Sequence, residues 1–353
     1  LSTLPAIQAA GFDVLIAAPR TGQLAIALGE AGVEIVPWET HDDTGKRRPL
    51  PELRKALSTI IERVQPKLIH ANSLSTSRIA GPVAASALIR SIGHLRDIIR
   101  LNAQSVDDIN KHDRIVAVSA ATRNFHIAQG LDATKCVVLR NGVDLAIFRI
   151  RPPSGYLHAE LGLPLSVRLI ATVGQLGLRK GVDVAIRAAA IVAQQLPDIH
   201  WLFVGERTSN KSESVELEKL LHDQATQPPL AGRVHFLGQR NDMPQLLTEC
   251  TALVHAARQE PLGRILLESA ASGLAIIATD VGGTREIFPA ASTSAILIPP
   301  DEVAALAAAT MRVLTDEDLR RRLSDNARRR AEAAFDIRDA AERLVATYRS
   351  IIR

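Results

Sequence analysis

Two glutamates, Glu260 and Glu268, flank the stretch "PLGRILL" and open an otherwise apolar segment, with Leu266, Leu267, Ala270 and Ala271 around the second. A carboxylate in such surroundings is costly unless it is paired, ligand-bound or turned to solvent. Pro261 and Gly263 mark a helix start, and Gly273 a common helix stop. The first-turn amides of such a helix bind phosphate through free N–H groups and the helix dipole. Glu268 then lies roughly 9 Å along the axis from that start, at about 1.5 Å per residue. The spacing suits a nucleoside diphosphate joined to a polyhydroxylated group, because an ionised carboxylate is a strong acceptor for hydroxyls. The competing reading is an ion pair on a solvated face. Arg264 stands four residues before Glu268, and Arg258 and Arg285 are other candidate partners.

The elements that must carry these residues read as alternating strands and helices. Short Val- and Ile-rich runs at 13–19, 33–38, 67–72, 114–119 and 136–142 form a first series. A second series runs through 168–174, 199–205, 233–238, 251–257, 274–280 and 295–300. Helical stretches such as "GVDVAIRAAAIVAQQL", apolar at three- and four-residue intervals, separate them. This is the pattern of parallel βαβ units with both sheet faces covered. Pro, Gly and polar residues cluster at 148–164. The expected organisation is therefore 1–150 as a first Rossmann-like domain, 151–165 as a linker and 166–335 as a second domain. In such sheets ligands bind outside the carboxyl ends of the strands. That singles out Gly174–Lys180, Gly205–Arg207, Gly238–Arg240, Ala257–Gly263 and Asp280–Arg285.

Composition bounds the function. The chain has 353 residues, 46% hydrophobic and 23% charged, an ordinary globular balance consistent with two domains. A net charge of +4 suits small anionic ligands or anionic lipid and is too weak to imply nucleic acid. Cys136 and Cys250 show no metal or redox spacing and read as reduced thiols of a cytoplasmic protein. No apolar run reaches the roughly 20 residues of a membrane span. No GxGxxG follows a strand with an acidic residue about 20 positions on, which argues against a nicotinamide dehydrogenase.

With these residues in view, the chain resembles family 4 of the retaining glycosyltransferases, of the GT-B fold. The resemblance rests on Glu260 and Glu268 with seven residues between them, followed by "SGLAIIATDVGGTREI". It extends to "VGQLGLRKG", "FVGE", "VHFLGQRNDMPQLL" and "EPLGR", in the family's order, and runs from about residue 5 to the end. It implies an α/β fold of two Rossmann-like domains facing across a cleft, the second holding a nucleotide-sugar donor, UDP- or GDP-linked. It also implies sugar transfer with retention, no cofactor and no metal. By resemblance Glu268 binds ribose hydroxyls, Glu260 the donor sugar's hydroxyls, and the amides of Leu262, Gly263 and Arg264 the diphosphate or sugar. Lys180 matches the lysine that neutralises the departing diphosphate. A merely solvated Lys180 is disfavoured, because a helix N-terminus repels cations. Where the family usually carries an arginine, this chain has Gln175, and Arg179 is the candidate substitute. His94 matches a histidine near the transferred sugar, although a lone histidine more often serves structure. Gly205 and Gly238 would permit close approach of the nucleoside, and Arg240 would lie near the base.

The remaining expectations concern the ends and the acceptor. The family begins with a strand and a Gly-rich loop, and this sequence starts beyond both, so the first sheet is expected to lack its central strand. The segment 336–353 resembles a last helix that crosses back to the first domain, packing through Leu344, Tyr348 and Ile351. Ser119 and Asp144 read as helix caps. The acceptor, a saccharide, lipid or small molecule, would meet the first domain. The basic loop 42–49 either touches anionic lipid or is simply solvated, and a place at the inner membrane face is a further expectation. The rival readings are a truncated, nucleotide-binding but inactive chain, and an epimerase of the same fold.

Overall fold

The computed structural model describes residues 2–352. Two compact units share the chain: Leu1–Gly142 together with Ile337–Arg353, and Val143–Asp336. The boundary thus falls before the Pro- and Gly-rich stretch expected to be a linker. That stretch is tied into the second unit by the buried carboxylate of Glu249. It accepts hydrogen bonds from the Ser154 amide (2.6 Å), the Ser154 hydroxyl (2.8 Å) and the Gly155 amide (2.9 Å).

In the first unit, β1 (Leu15–Ala18) and β2 (Glu34–Pro37) pair in parallel as one ladder. A second parallel ladder has the order β3 (Leu68–Ala71), β4 (Arg90–Leu95), β5 (Arg114–Ala117) and β6 (Cys136–Val138). The sequence did not announce β4. Its polar Ser91 and His94 and its Gly93 break the apolar run that marks the other strands. Gly93 is required because the His112 ring lies against it; a Cβ there would stand 2.7 Å from that ring. The last helix, Ile337–Ile352, buries Leu344, Val345, Tyr348 and Ile351 at three- and four-residue spacing against Ile7, Ile92, Val116 and Leu139.

The second unit holds one six-stranded parallel sheet. Its strands are β7 (Arg168–Val173), β8 (Ile199–Val204), β9 (Val234–Phe236), β10 (Ala252–His255), β11 (Ala275–Thr279) and β12 (Ile296–Ile298). Every residue of β10 and β11 is buried, as expected for Val- and Ile-rich strands covered by helices on both faces. The spatial order is β12-β11-β10-β7-β8-β9. From β7 the chain steps to β8 and β9 on one side, then returns to place β10 on the other. The loops leaving β7 and β10 therefore diverge at a switch point, where an open parallel sheet forms its ligand crevice.

Candidate functional site

Both loops at that switch point carry the expected site residues. Beyond β7 the chain makes a short turn, Leu178–Lys180, and enters the helix Val182–Gln195 through Gly181 at φ +63°. Any side chain at 181 would place its Cβ 1.9 Å from the Ala256 carbonyl oxygen, so glycine lets the β7 loop press against the exit of β10. This contact sets Lys180 beside Glu260. Lys180 Nζ donates to Glu260 Oε2 at 2.5 Å, and His255 Nε2 donates to the same oxygen at 2.9 Å. Burial alone would raise the Glu260 carboxyl, but His255 and Lys180 outweigh it and hold the group down to about 2, against an ordinary 4.5. Burial likewise lowers His255, which gives Glu260 a proton donor without a second full charge. The other carboxylate oxygen, Oε1, lies outside this pair of bonds. His255 was missed in the sequence; a single histidine at the end of "ALVH" gives no sign of its partner until β10 and its loop are built.

Glu260 is anchored from behind as well: its carbonyl accepts the Gly283 amide at 2.9 Å. The helix Arg264–Ala271 starts after Gly263, which sits at φ +97° and supplies no capping side chain. Its first-turn amides are therefore left for other acceptors. Four residues into the helix, the Glu268 side chain is only 16% exposed, and burial raises its carboxyl above the ordinary 4.5. Arg264 does approach it, Nε to Oε1 at 3.4 Å, but the arginine is 82% exposed. An ion pair so open to water is worth little and does not repay the carboxylate's burial. The two readings of Glu268 thus coexist, with the carboxylate mostly uncompensated.

The neighbouring loops bear on one another through their backbones and side chains. Gly205 and Gly238 form an isolated antiparallel bridge, the Gly205 amide donating to the Gly238 carbonyl at 2.7 Å. A Cβ on Gly205 would stand 2.2 Å from the Gly174 carbonyl oxygen. These glycines therefore bring the loops after β7, β8 and β9 into mutual backbone contact. Gln175 donates through its side-chain amide to the Thr208 hydroxyl. Arg179 is exposed, and its carbonyl accepts the Arg258 amide at 2.9 Å. Arg240, expected near a base, is committed elsewhere: its guanidinium makes hydrogen bonds of 2.6–3.0 Å to both carboxylate oxygens of Glu160 and of Asp242.

The structure thus brings together Lys180, Glu260, Leu262, Gly263, Arg264 and Glu268, with His255 added. His94 belongs to the other unit. It lies on β4, 2% exposed, its amide donating to the Ser77 hydroxyl at 3.1 Å. Its Nε2 is buried with no hydrogen-bond partner among the described residues, and burial lowers its basicity well below the ordinary 6.5. Ser119 caps the helix Ala120–Ile127 by accepting the Thr122 amide at 3.0 Å. Asp144 accepts the amides of Ala146 (2.9 Å) and Ile147 (3.1 Å). Among the described residues no helix is long and apolar enough to cross a membrane.

The model of the family described as Glycosyl transferases group 1 matches residues 156–330, and that of Glycosyltransferase Family 4 matches residues 2–147. The chain is 26% identical over 248 residues to a lipopolysaccharide core biosynthesis mannosyltransferase, LpsB, of Rhizobium meliloti, covering 69% of this chain and 68% of that protein. It is 31% identical over 217 residues to a phosphatidyl-myo-inositol mannosyltransferase of Mycolicibacterium smegmatis, covering 59% of this chain and 51% of the relative. Among solved structures, Anabaena HepE in complex with UDP-glucose superposes with a TM-score of 0.85 at 23% identity, over 99% of this chain and 96% of its own. WaaG, a glycosyltransferase involved in lipopolysaccharide biosynthesis, superposes at 0.70 with 16% identity, over 98% of this chain and 94% of its own.

Proposed function

The chain belongs to the group 1, family 4 glycosyltransferases of GT-B fold, and on that premise we propose that it moves a sugar from a nucleotide-sugar donor to a saccharide or lipid acceptor, with retention and without a metal. One observation carries the reading: Lys180 and His255 converge on one buried oxygen of Glu260 beside an uncapped helix start, about one turn into which Glu268 is half-buried without an adequate partner. In this reading the first-turn amides of Gly263 and Arg264 and the backbone of Leu262 receive the diphosphate. Glu268 accepts the ribose hydroxyls, which supply the partner that Arg264 does not. Glu260, held ionised, accepts donor-sugar hydroxyls through Oε1. The Lys180 ammonium has three N–H donors, and the bond to Glu260 uses one. The others meet the diphosphate as it departs, a fixed positive charge where negative charge develops. That electrostatic task is the one a metal performs in other transferases.

The donor nucleotide is read as UDP or GDP, as the family resemblance implies, and HepE was solved with UDP-glucose. A lipid or saccharide acceptor follows the names of the relatives, and a cytoplasmic place at the inner membrane face would suit it. Calorimetric titration of UDP, GDP, ADP and TDP tests the reading, with Glu268→Ala as control. One nucleotide should bind and the control should lose it. Binding by none of the four, or binding that survives in the control, overturns the assignment.

A further inference from the structure

We propose that Tyr348 and His70 are positioning residues that fix the ring tautomer of His94, so that His94 always presents Nε2–H as a hydrogen-bond donor and never a bare nitrogen at that position. The inference rests on the proposed sugar transfer and on the resemblance that matches His94 to a histidine near the transferred sugar, but the lock itself stands on bonds within one unit.

The four groups form a chain of contacts. Tyr348 Oη lies 2.6 Å from His70 Nδ1, His70 Nε2 lies 3.1 Å from His94 Nδ1, and Arg96 Nη2 lies 3.4 Å from the same His94 Nδ1. Arg96 indicates the direction of each proton, but its 3.4 Å contact is too long to hold that direction without the shorter Tyr348 and His70 bonds. A guanidinium only donates, so His94 Nδ1 must accept. His70 then donates from Nε2, which leaves its Nδ1 as an acceptor, and the phenol of Tyr348 donates to it. His94 is left with its proton on Nε2. The reverse direction would set the Arg96 N–H against a His94 Nδ1–H and would turn the Tyr348 hydroxyl away from its short contact.

Protonation does not blur this assignment. Burial and the nearby Arg96 hold His70 down to about 3 and His94 well below its ordinary value, while burial pushes the Tyr348 phenol up. The remaining charged or titratable group acting on His70 is His112, itself lowered by burial to about 4. Both rings are therefore neutral across the physiological range, and Tyr348 keeps its proton. The consequence is a buried N–H donor, His94 Nε2–H, with no acceptor among the described residues. An orphaned buried donor costs stability. Here a hydroxyl or ring oxygen of a sugar is the acceptor it fits, and a neutral donor of this kind orients an oxygen without removing its proton. Tyr348, expected from the sequence only to pack, is thereby the last helix's hold on a chemical group at the strand ends of the first unit.

The test is tautomer-resolved 1H–15N spectroscopy of the full chain labelled at histidine, with hydrolysis of UDP-glucose as the kinetic readout. In the unaltered chain His94 should show a protonated Nε2 and a bare Nδ1 from pH 5.5 to 8. Tyr348→Phe should move His70 and His94 to mixed tautomers and lower kcat about tenfold, the worth of one hydrogen bond, with UDP affinity unchanged. His70→Leu should do the same. His70→Gln, whose amide can donate to His94 and accept from Tyr348, should restore both the pattern and kcat. A protonated Nδ1 on His94 in the unaltered chain, or a tautomer pattern indifferent to Tyr348→Phe, overturns the lock. A pattern that responds while kcat does not overturns the positioning role. Failure of the unaltered chain to bind any nucleotide counts against the proposed function alone, because the spectrum reads the lock without turnover.

Discussion

Lys180→Met removes the ammonium from Glu260 and should be felt in stability as well as in catalysis. The fall of the Glu260 carboxyl from 4.5 to about 2 corresponds to about 3 kcal/mol of preference for its ionised form. The His255 donor remains in Lys180→Met, so the variant should lose about 2 kcal/mol rather than the 3–5 kcal/mol typical of a buried pair stripped of one member. Glu260→Gln in both backgrounds closes a double-mutant cycle, whose coupling energy should be about 2 kcal/mol at pH 7. The sign with pH is fixed. A carboxyl lowered by folding stabilises the fold fully above its unfolded value near 4.5 and loses that contribution as pH falls towards about 2. By pH 3 roughly half or more of it should be gone. The fold supplies a local reporter. The chain has two tryptophans, and Trp201 is buried in the second unit, its indole N–H on the Thr172 hydroxyl at 2.9 Å. Urea unfolding followed by fluorescence in a Trp38→Phe background therefore reads the unit that contains the pair. Turnover of whichever nucleotide-sugar the chain accepts should fall in Lys180→Met by about 10²–10³, the usual effect of deleting one donor to developing charge. Single variants that cost under about 0.5 kcal/mol and add without coupling would refute the reasoning, since Lys180 would then be a solvated cation and not the group that holds Glu260 ionised.

Glu268→Gln should stabilise the ligand-free chain at neutral pH, because burial raises that carboxyl and folding is penalised as pH rises through its value. The same variant should weaken nucleotide binding by about 10- to 100-fold, the worth of a charge-assisted hydrogen bond; calorimetry and urea titration on one sample compare the two. Arg264→Ala should change stability by less than about 0.5 kcal/mol, as befits an exposed partner. Gly181→Ala forces a Cβ to 1.9 Å from the Ala256 carbonyl oxygen at a positive φ, and strain of that kind costs about 1–3 kcal/mol before the clash is added; a lowered melting temperature and loss of turnover together check it. Arg240→Ala should lower stability by about 1 kcal/mol and leave nucleotide affinity unchanged in a calorimetric titration.

What could be read beforehand follows from how far each signal reaches along the chain. The parallel strands of the second unit announce themselves because burial on both faces requires unbroken apolar runs, as in "ALVH" and "AIIAT". Glu260 and Glu268 stand out because carboxylates at a helix start and within an apolar helix need a reason. Strand β4 was hidden because its glycine and histidine answer to His112 and Ser77, residues remote in sequence. The fate of Arg240 depends on Glu160, 80 residues away, and the Pro- and Gly-rich stretch looked like a linker because Glu249 binds it from 95 residues off. Composition reports a residue's cost; only the fold reports which neighbour offsets it.

That distinction separates Glu268 from the other shielded carboxylates of its unit. Glu260, Asp183 and Glu249 are all shielded carboxylates, and each is repaid inside its own unit: by Lys180 and His255, by Arg258 at 2.7 Å, and by two amides and a hydroxyl. Glu268 and the Nε2 of His94 are not. One has a solvent-exposed arginine for company, the other has no acceptor among the described residues. Within the second unit, then, three shielded carboxylates are repaid by their neighbours and Glu268 is not, which makes it the carboxylate to test with a ligand. The Lys180–Glu260–His255 cluster repays its own burial and still leaves Glu260 Oε1 and two Lys180 N–H groups outside its bonds, whereas Glu268 keeps a shielded carboxylate with only an exposed arginine beside it.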